Sequence, residues 1–205
     1  MKREDFFTTW SESHGGAEIS GIVKAWLNIS YLIVKPLMKI RVTPNTLTLL
    51  GLFFGVALYL NAKSIWAPVL LVLSLTCDGV DGTLAIVSGK SSKWGAVLDS
   101  LVDRITEVFW VLALYKIGAD LYLLIVVAVF ALLQEYLRAR AAGLGLAKVG
   151  IVTFAERPVR ASFIFVSLIA WQLKMPIINQ ITLLWLLLQV VSFMMVSRFT
   201  YQHLN

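Results

Sequence analysis

Apolar stretches of about 20 residues, the length that crosses a hydrocarbon core roughly 30 Å thick, dominate the chain beyond residue 44. They cover 45–62, 66–87, 95–116, 119–141, 158–174 and 177–201, with short polar links between them. Backbone in lipid must satisfy its own hydrogen bonds, so each stretch is expected to be a helix. The pattern therefore predicts an all-α polytopic membrane protein with six transmembrane helices. Residues 20–40, SGIVKAWLNISYLIVKPLMKI, alternate differently. Apolar positions mix there with Lys24, Lys35 and Lys39, which predicts an amphipathic helix lying in the interface and meeting anionic lipid head groups. Pro36 is positioned to kink that helix, and Thr43-Pro44-Asn45 breaks the chain before the first span. Residues 1–19 read as a polar segment without the apolar run of a cleavable signal. The chain divides into this segment and one membrane domain over 20–205.

Composition agrees with that division. Of 205 residues, 59% are apolar and 15% charged. A soluble domain of this size has no core large enough to hide so much apolar surface. The net charge of +6 is read through the positive-inside rule rather than as a nucleic-acid signal. With the N-terminus inside, the outer loops hold only Lys63, Lys116 and Lys174 of the 18 Lys and Arg residues. Both termini are therefore expected in the cytoplasm. Cys77 is the lone cysteine, which rules out an internal disulfide and a cysteine metal cage.

Ionisable groups inside apolar spans are costly and mark function by default. The segment CDGVDGTLAIVSGKSSKWGAVLDSLVDR, residues 77–104, concentrates them. Asp78 and Asp81 lie three apart near the end of the second span, and Asp99 and Asp103 lie four apart near the start of the third. Each pair shares a helix face. The link Ser88–Lys93 is short enough to fold one helix back on the other, which would bring the four carboxylates together. Such a cluster stays ionised only with cations. Oxygen-only donors favour a hard ion, Mg²⁺, Mn²⁺ or Ca²⁺, rather than zinc. Four carboxylates suit two ions, an arrangement fitted to phosphoryl-type displacement.

The full pattern is Asp78-x2-Asp81-Gly82-x2-Ala85-x9-Gly95-x3-Asp99-x3-Asp103. It resembles the signature of the CDP-alcohol phosphotransferase family, from about residue 20 onwards. That resemblance implies six transmembrane helices, a preceding interfacial helix, a cytoplasm-facing site and a homodimer. It implies transfer of a phosphoryl-alcohol group from a CDP-linked donor, often CDP-diacylglycerol, with release of CMP. By position, Asp78, Asp81, Asp99 and Asp103 would hold metal, and Asp103 would also be the base that activates the acceptor hydroxyl. Gly82, Ala85, Ser92 and Gly95 match donor-contacting positions. Pro44-Asn45-Thr46-Leu47-Thr48 resembles the element that helps form the nucleotide pocket, which adds Asn45, Thr46 and Thr48. One position departs from the pattern. The family has Arg after the Ala, where this chain has Ile86, and Lys90 and Lys93 are the nearby cations.

A second set bears on the acceptor. Glu135-Tyr136-Leu137-Arg138-Ala139-Arg140, Glu156-Arg157-Pro158-Val159-Arg160 and Arg198 resemble elements of actinobacterial phosphatidylinositol-phosphate synthases. The resemblance implies that Arg138, Arg157 and Arg198 bind the phosphate of a small phosphorylated alcohol, with inositol phosphate the leading choice. Glycerol 3-phosphate is the alternative acceptor. The plainer reading makes these arginines positive-inside anchors. Two other classes compete, a cation transporter and a non-catalytic lipid-binding protein. A transporter is disfavoured because no inverted repeat or interrupted helix is visible. His14 and His203 are read as bystanders, and Cys77 as a packing residue. Glu107, one turn beyond Asp103, is a candidate partner for Arg104 or the metals, or a group facing a polar cavity or the dimer interface.

Overall fold

The computed structural model describes residues 1–13, 16, 18–146 and 151–204. His14 lies outside them. Eight helices and no strand are found among the described residues. They are α1 (Arg3–Ser13), α2 (Gly21–Lys39), α3 (Pro44–Leu60), α4 (Ala67–Val87), α5 (Lys93–Lys116), α6 (Leu121–Gly143), α7 (Arg157–Gln172) and α8 (Ile178–Leu204). The last six follow the six apolar stretches of the sequence. By length and composition, only α4, α6 and α8 are long and apolar enough to cross a membrane. A fourth is gained if α2 and α3, which meet at 110°, are counted as one broken span. The difference from six has simple causes. Helices α3 and α7 hold 17 and 16 residues, short of the roughly 20 needed. Helix α5 carries Asp99, Asp103, Arg104 and Glu107.

The chain forms two compact units. The first contains Met1–Phe54 and Val72–Thr106. Its apolar centre joins Phe6 of α1, Leu27, Tyr31 and Val34 of α2, Leu47 of α3, and Cys77, Val80 and Leu84 of α4. Helix α2 is present where the amphipathic pattern placed it, with Pro36 inside. Its last turn closes through Arg41 in the left-handed region, φ 58°, with Val42 N–H donating to the Leu37 carbonyl. That reversal delivers the chain to α3. Thr43 caps α3 by accepting from Thr46 N–H at 3.2 Å, and Pro44 begins the helix, where a missing N–H costs nothing. Helices α3 and α4 meet closely at Gly51. A Cβ there would lie 3.3 Å from the Ser74 carbonyl, and Ser74 Oγ donates to the Gly51 carbonyl at 2.8 Å.

Helix α1 is docked more firmly than the polarity of residues 1–19 indicates. Phe6 is 0% exposed and stacks on Tyr31, ring centroids 5.7 Å apart. Phe7, Trp10 and Ile19 pack on the same cluster. Tyr31 Oη donates to the Met1 carbonyl at 2.9 Å, and Arg3 donates to Asn28 at 3.2 Å. Four apolar side chains spread over this segment never form a run, so a hydropathy window misses them.

The second unit contains Gly55–Leu71 and Glu107–Asn205. Helix α6 packs along α8 through Phe130 on Phe193, centroids 5.5 Å apart. A buried amide pair completes that seam: Gln189 Nε2 donates to Gln134 Oε1 at 2.9 Å. Phe163 of α7 stacks on Trp185 of α8. Asp120 caps α6 by accepting from Leu123 N–H at 2.9 Å.

Replacing Phe6 by Ala removes the side chain that docks α1, with an expected loss of about 3–5 kcal/mol at a fully buried aromatic. Limited proteolysis of the Phe6→Ala protein should cut within the first 20 residues much faster than in the parent. Equal cleavage rates would show that α1 is not held by this contact.

Candidate functional site

The carboxylates are brought together by the turn between α4 and α5. Helix α4 ends in a paired closure: Gly89 N–H donates to the Ile86 carbonyl at 3.1 Å, and Lys90 N–H to the Ala85 carbonyl at 2.9 Å. This is a Schellman motif, which needs a left-handed residue at its turn. Gly89 supplies it at φ 67°. Three residues later Ser92 caps α5, accepting from Gly95 N–H at 2.9 Å. The turn is thus set at both ends by local chemistry. Across it, carboxylate oxygens of Asp78, Asp99 and Asp103 all lie within 4.8 Å of one another. All three residues are half-buried. A hard divalent ion fits such a set of oxygen donors, and the crowding of like charge favours its capture.

Asp81 is buried more deeply than that trio. It is 5% exposed and accepts a hydrogen bond from the Thr48 hydroxyl. Both line a cavity of about 240 Å³ that also reaches Asp99. Asn45, Gly82, Ala85, Ser92 and Gly95 line the same cavity, so most of the candidate donor positions share one space. Gly82 leaves its wall open, since a Cβ there would meet nothing within 4 Å. Gly95 is tight instead, with a Cβ falling 2.9 Å from Ser92 Oγ and 3.4 Å from Asn45 Oδ1. Thr46 does not join the lining. Its hydroxyl lies 2.7 Å from that of Thr43, in the exposed first turn of α3. Three lining residues escaped the sequence reading as contacts: Ser13 at the end of α1, Ser91 and Ala96. Nothing in the local pattern marks Ser13, because its place depends on the docking of α1.

The arginines lie in the second unit and are differently placed. Arg138 grips Glu156 with two bonds of 2.8 and 2.6 Å and donates to the Ile151 carbonyl at 3.0 Å. Thr153 holds the same carboxylate through its N–H at 2.7 Å and its hydroxyl at 2.8 Å. Arg160 is 1% exposed. It donates to Glu107 at 2.8 Å, to Glu135 at 3.2 Å and to the Ala155 carbonyl at 2.8 Å. Glu107 is therefore a partner of Arg160. Arg157 lies over the Trp110 ring at 5.2 Å, with its Nε 3.9 Å from Glu107. Arg198 is exposed on α8. Cys77 is buried, and His203 stacks on Phe199.

The family model described as CDP-alcohol phosphatidyltransferase matches residues 41–196. The chain belongs to this family. Among CDP-alcohol phosphatidyltransferases it is similar to the phosphatidylinositol phosphate synthase of Cutibacterium acnes, 34% identical over 71% of this chain and 73% of that protein. The synthase of the same name from Corynebacterium glutamicum is 47% identical over a shorter stretch, 37% of this chain and 36% of that protein. The chain thus matches little more than a third of the Corynebacterium protein's length. The fold is similar to that of Mycobacterium tuberculosis phosphatidylinositol phosphate synthase solved with CDP-DAG bound. That likeness has a TM-score of 0.69 and 23% identity, and it covers 85% of this chain and 94% of the other. The same mycobacterial protein has been solved with manganese and citrate, again at a TM-score of 0.69 and 23% identity, covering 84% of this chain and 88% of the other. Family membership makes this protein membrane-integral. The motif aspartates all fall inside the matched region, whereas α1 precedes it.

Glu156 gives a pH test. Burial by itself pushes its carboxyl up, but the bonds from Arg138 and Thr153 outweigh this and hold it below the ordinary carboxylate range. A depressed carboxylate stabilises the fold above its unfolded value of roughly 4.3, and that contribution is lost as pH falls through the folded value. Glu156→Gln should therefore melt below the parent at neutral pH. The gap should close as pH drops below about 4. A gap independent of pH would show that the Arg138 contact is not what holds this loop.

Proposed function

We propose that the protein transfers the phosphatidyl group of CDP-diacylglycerol to a hydroxyl of a polyol phosphate, with inositol phosphate the leading acceptor, and releases CMP. The single observation that carries the reading is the Asp78–Asp99–Asp103 trio beside a cavity lined by the candidate donor residues. Family membership and the names of its relatives support it.

Asp78, Asp81, Asp99 and Asp103 would hold the divalent ions, Mg²⁺ or Mn²⁺. Ions there would supply positive charge to offset that of the diphosphate and the departing CMP. Asp103 removes the acceptor hydroxyl's proton. The acceptor oxygen then forms a bond to the phosphatidyl phosphorus as the bond from that phosphorus to the CMP oxygen breaks. A hydroxyl attacks poorly without such a base, so the base has a direct share in the rate. Asn45, Thr48, Gly82, Ala85, Ser92 and Gly95 enclose the donor, and Thr46 supports them through the first turn of α3. Arg138, Arg157 and Arg198 receive the acceptor phosphate, for which guanidinium forks are well suited. Arg138 and Arg157 are already engaged with carboxylates, so Arg198 has the most charge to offer. The distribution of Lys and Arg supports cytoplasmic termini and a cytoplasm-facing site. The family resemblance supports a homodimer.

The test is CMP release by the purified full chain in liposomes with CDP-diacylglycerol and Mg²⁺. Inositol phosphate, glycerol 3-phosphate and free inositol are added singly, with a chelator control. Release should require the metal and be greatest with inositol phosphate. Release only with glycerol 3-phosphate would replace the acceptor, and release unaffected by the chelator would remove the metal. Asp103→Asn should lower turnover by about 10²–10⁴ while CDP-diacylglycerol binding persists. Parallel loss of binding would make Asp103 a ligand without a base's role. Arg198→Ala should raise the KM for the phosphorylated acceptor without changing the melting temperature, and an unchanged KM would return Arg198 to a membrane anchor.

A further inference from the structure

We propose that Lys90 is the cation through which this chain holds the phosphates of its donor. The inference deepens the CDP-diacylglycerol reading and rests on it. Asp81 and Asp99 give the cavity negative walls, and among its described lining residues the only basic side chain is Lys90. Two divalent ions would balance the four motif carboxylates, which leaves the charge of the diphosphate itself to be met by another cation. Ile86, one turn before Lys90, also lines the cavity but contributes only apolar surface.

Two features assign the role to Lys90. First, its backbone is held: the bond to the Ala85 carbonyl and the left-handed Gly89 fold it back over the end of α4. Ala85, the acceptor of that bond, itself lines the cavity, so the closure of α4 brings Lys90 to the same wall. Second, the competing cation is badly placed. Lys93 is the first residue of α5 and does not line the cavity. A cation at a helix N-terminus opposes the helix dipole and is better solvated by water. An ammonium on a flexible stem binds phosphate as a point charge and needs no fixed fork geometry. An exposed lysine in a short turn can therefore take a task that a rigid guanidinium would perform from within the helix.

The experiment is calorimetric titration of the full chain in nanodiscs with CDP-diacylglycerol and Mg²⁺. Lys90→Ala should weaken binding about 10- to 100-fold, the usual size of a lost charge-assisted bond. Lys90→Arg should stay within a few-fold of the parent, and Lys93→Ala should bind as the parent does. Adding Ile86→Arg to Lys90→Ala should restore much of the loss, because it returns a cation to the same wall. Parent-like binding by Lys90→Ala would overturn the proposal and leave the donor reading standing, as would an equal loss in Lys93→Ala. A parent protein that binds no CDP-diacylglycerol would instead remove the donor reading, and this inference with it.

Discussion

Mutual repulsion among Asp78, Asp99 and Asp103 is the constraint around which the first unit is organised. With oxygens within 4.8 Å of one another, two unit charges repel by about 1 kcal/mol in water and several times more in a partly desolvated setting. Rigid elements must therefore hold them together. Helix α4 is closed by the Gly89 turn, helix α5 is opened by Ser92, and a short link joins the two. Arg104, 3.7 Å from Asp103, offsets part of that charge. For the rest, three carboxylates held this close fit a hard divalent ion.

The second unit treats charge in the opposite way. Arg160 is buried among Glu107, Glu135 and the Ala155 carbonyl, and Arg138 is clamped by Glu156. Charges paired internally in this manner hold helices and loops in register, because removing one partner leaves the other buried and uncompensated. The Gln134–Gln189 amide bond does the same for α6 and α8 without net charge. Such pairing satisfies polar groups that hydrocarbon cannot. It also limits what Arg138 can do for a ligand, since an incoming phosphate must share that guanidinium with Glu156.

Small residues give the cavity beside the aspartates its shape. Gly82 opens one wall, while Gly95 lets the start of α5 come close to Asn45 and Ser92. Ile86 gives that space an apolar surface and Lys90 gives it a positive charge. The docking of α1 extends the cavity's rim to Ser13, an element outside the stretch matched by the family model.

Sequence alone determined the helical class, the order of the apolar segments, the amphipathic helix before them and the pairing of aspartates across a short link. All of these follow from short-range periodicity, turn chemistry and the cost of charge in lipid. The number of membrane crossings was less legible, because α3, α5 and α7 are apolar but short or charged. Tertiary structure decided the rest. It buried Asp81 against Thr48, left Thr46 in a helix cap, and paired Glu107 with Arg160. It also docked a polar-looking N-terminus through Phe6. Each of these outcomes depends on partners far apart in the chain, and no local pattern encodes which of several available polar groups an acid or an aromatic ring will meet.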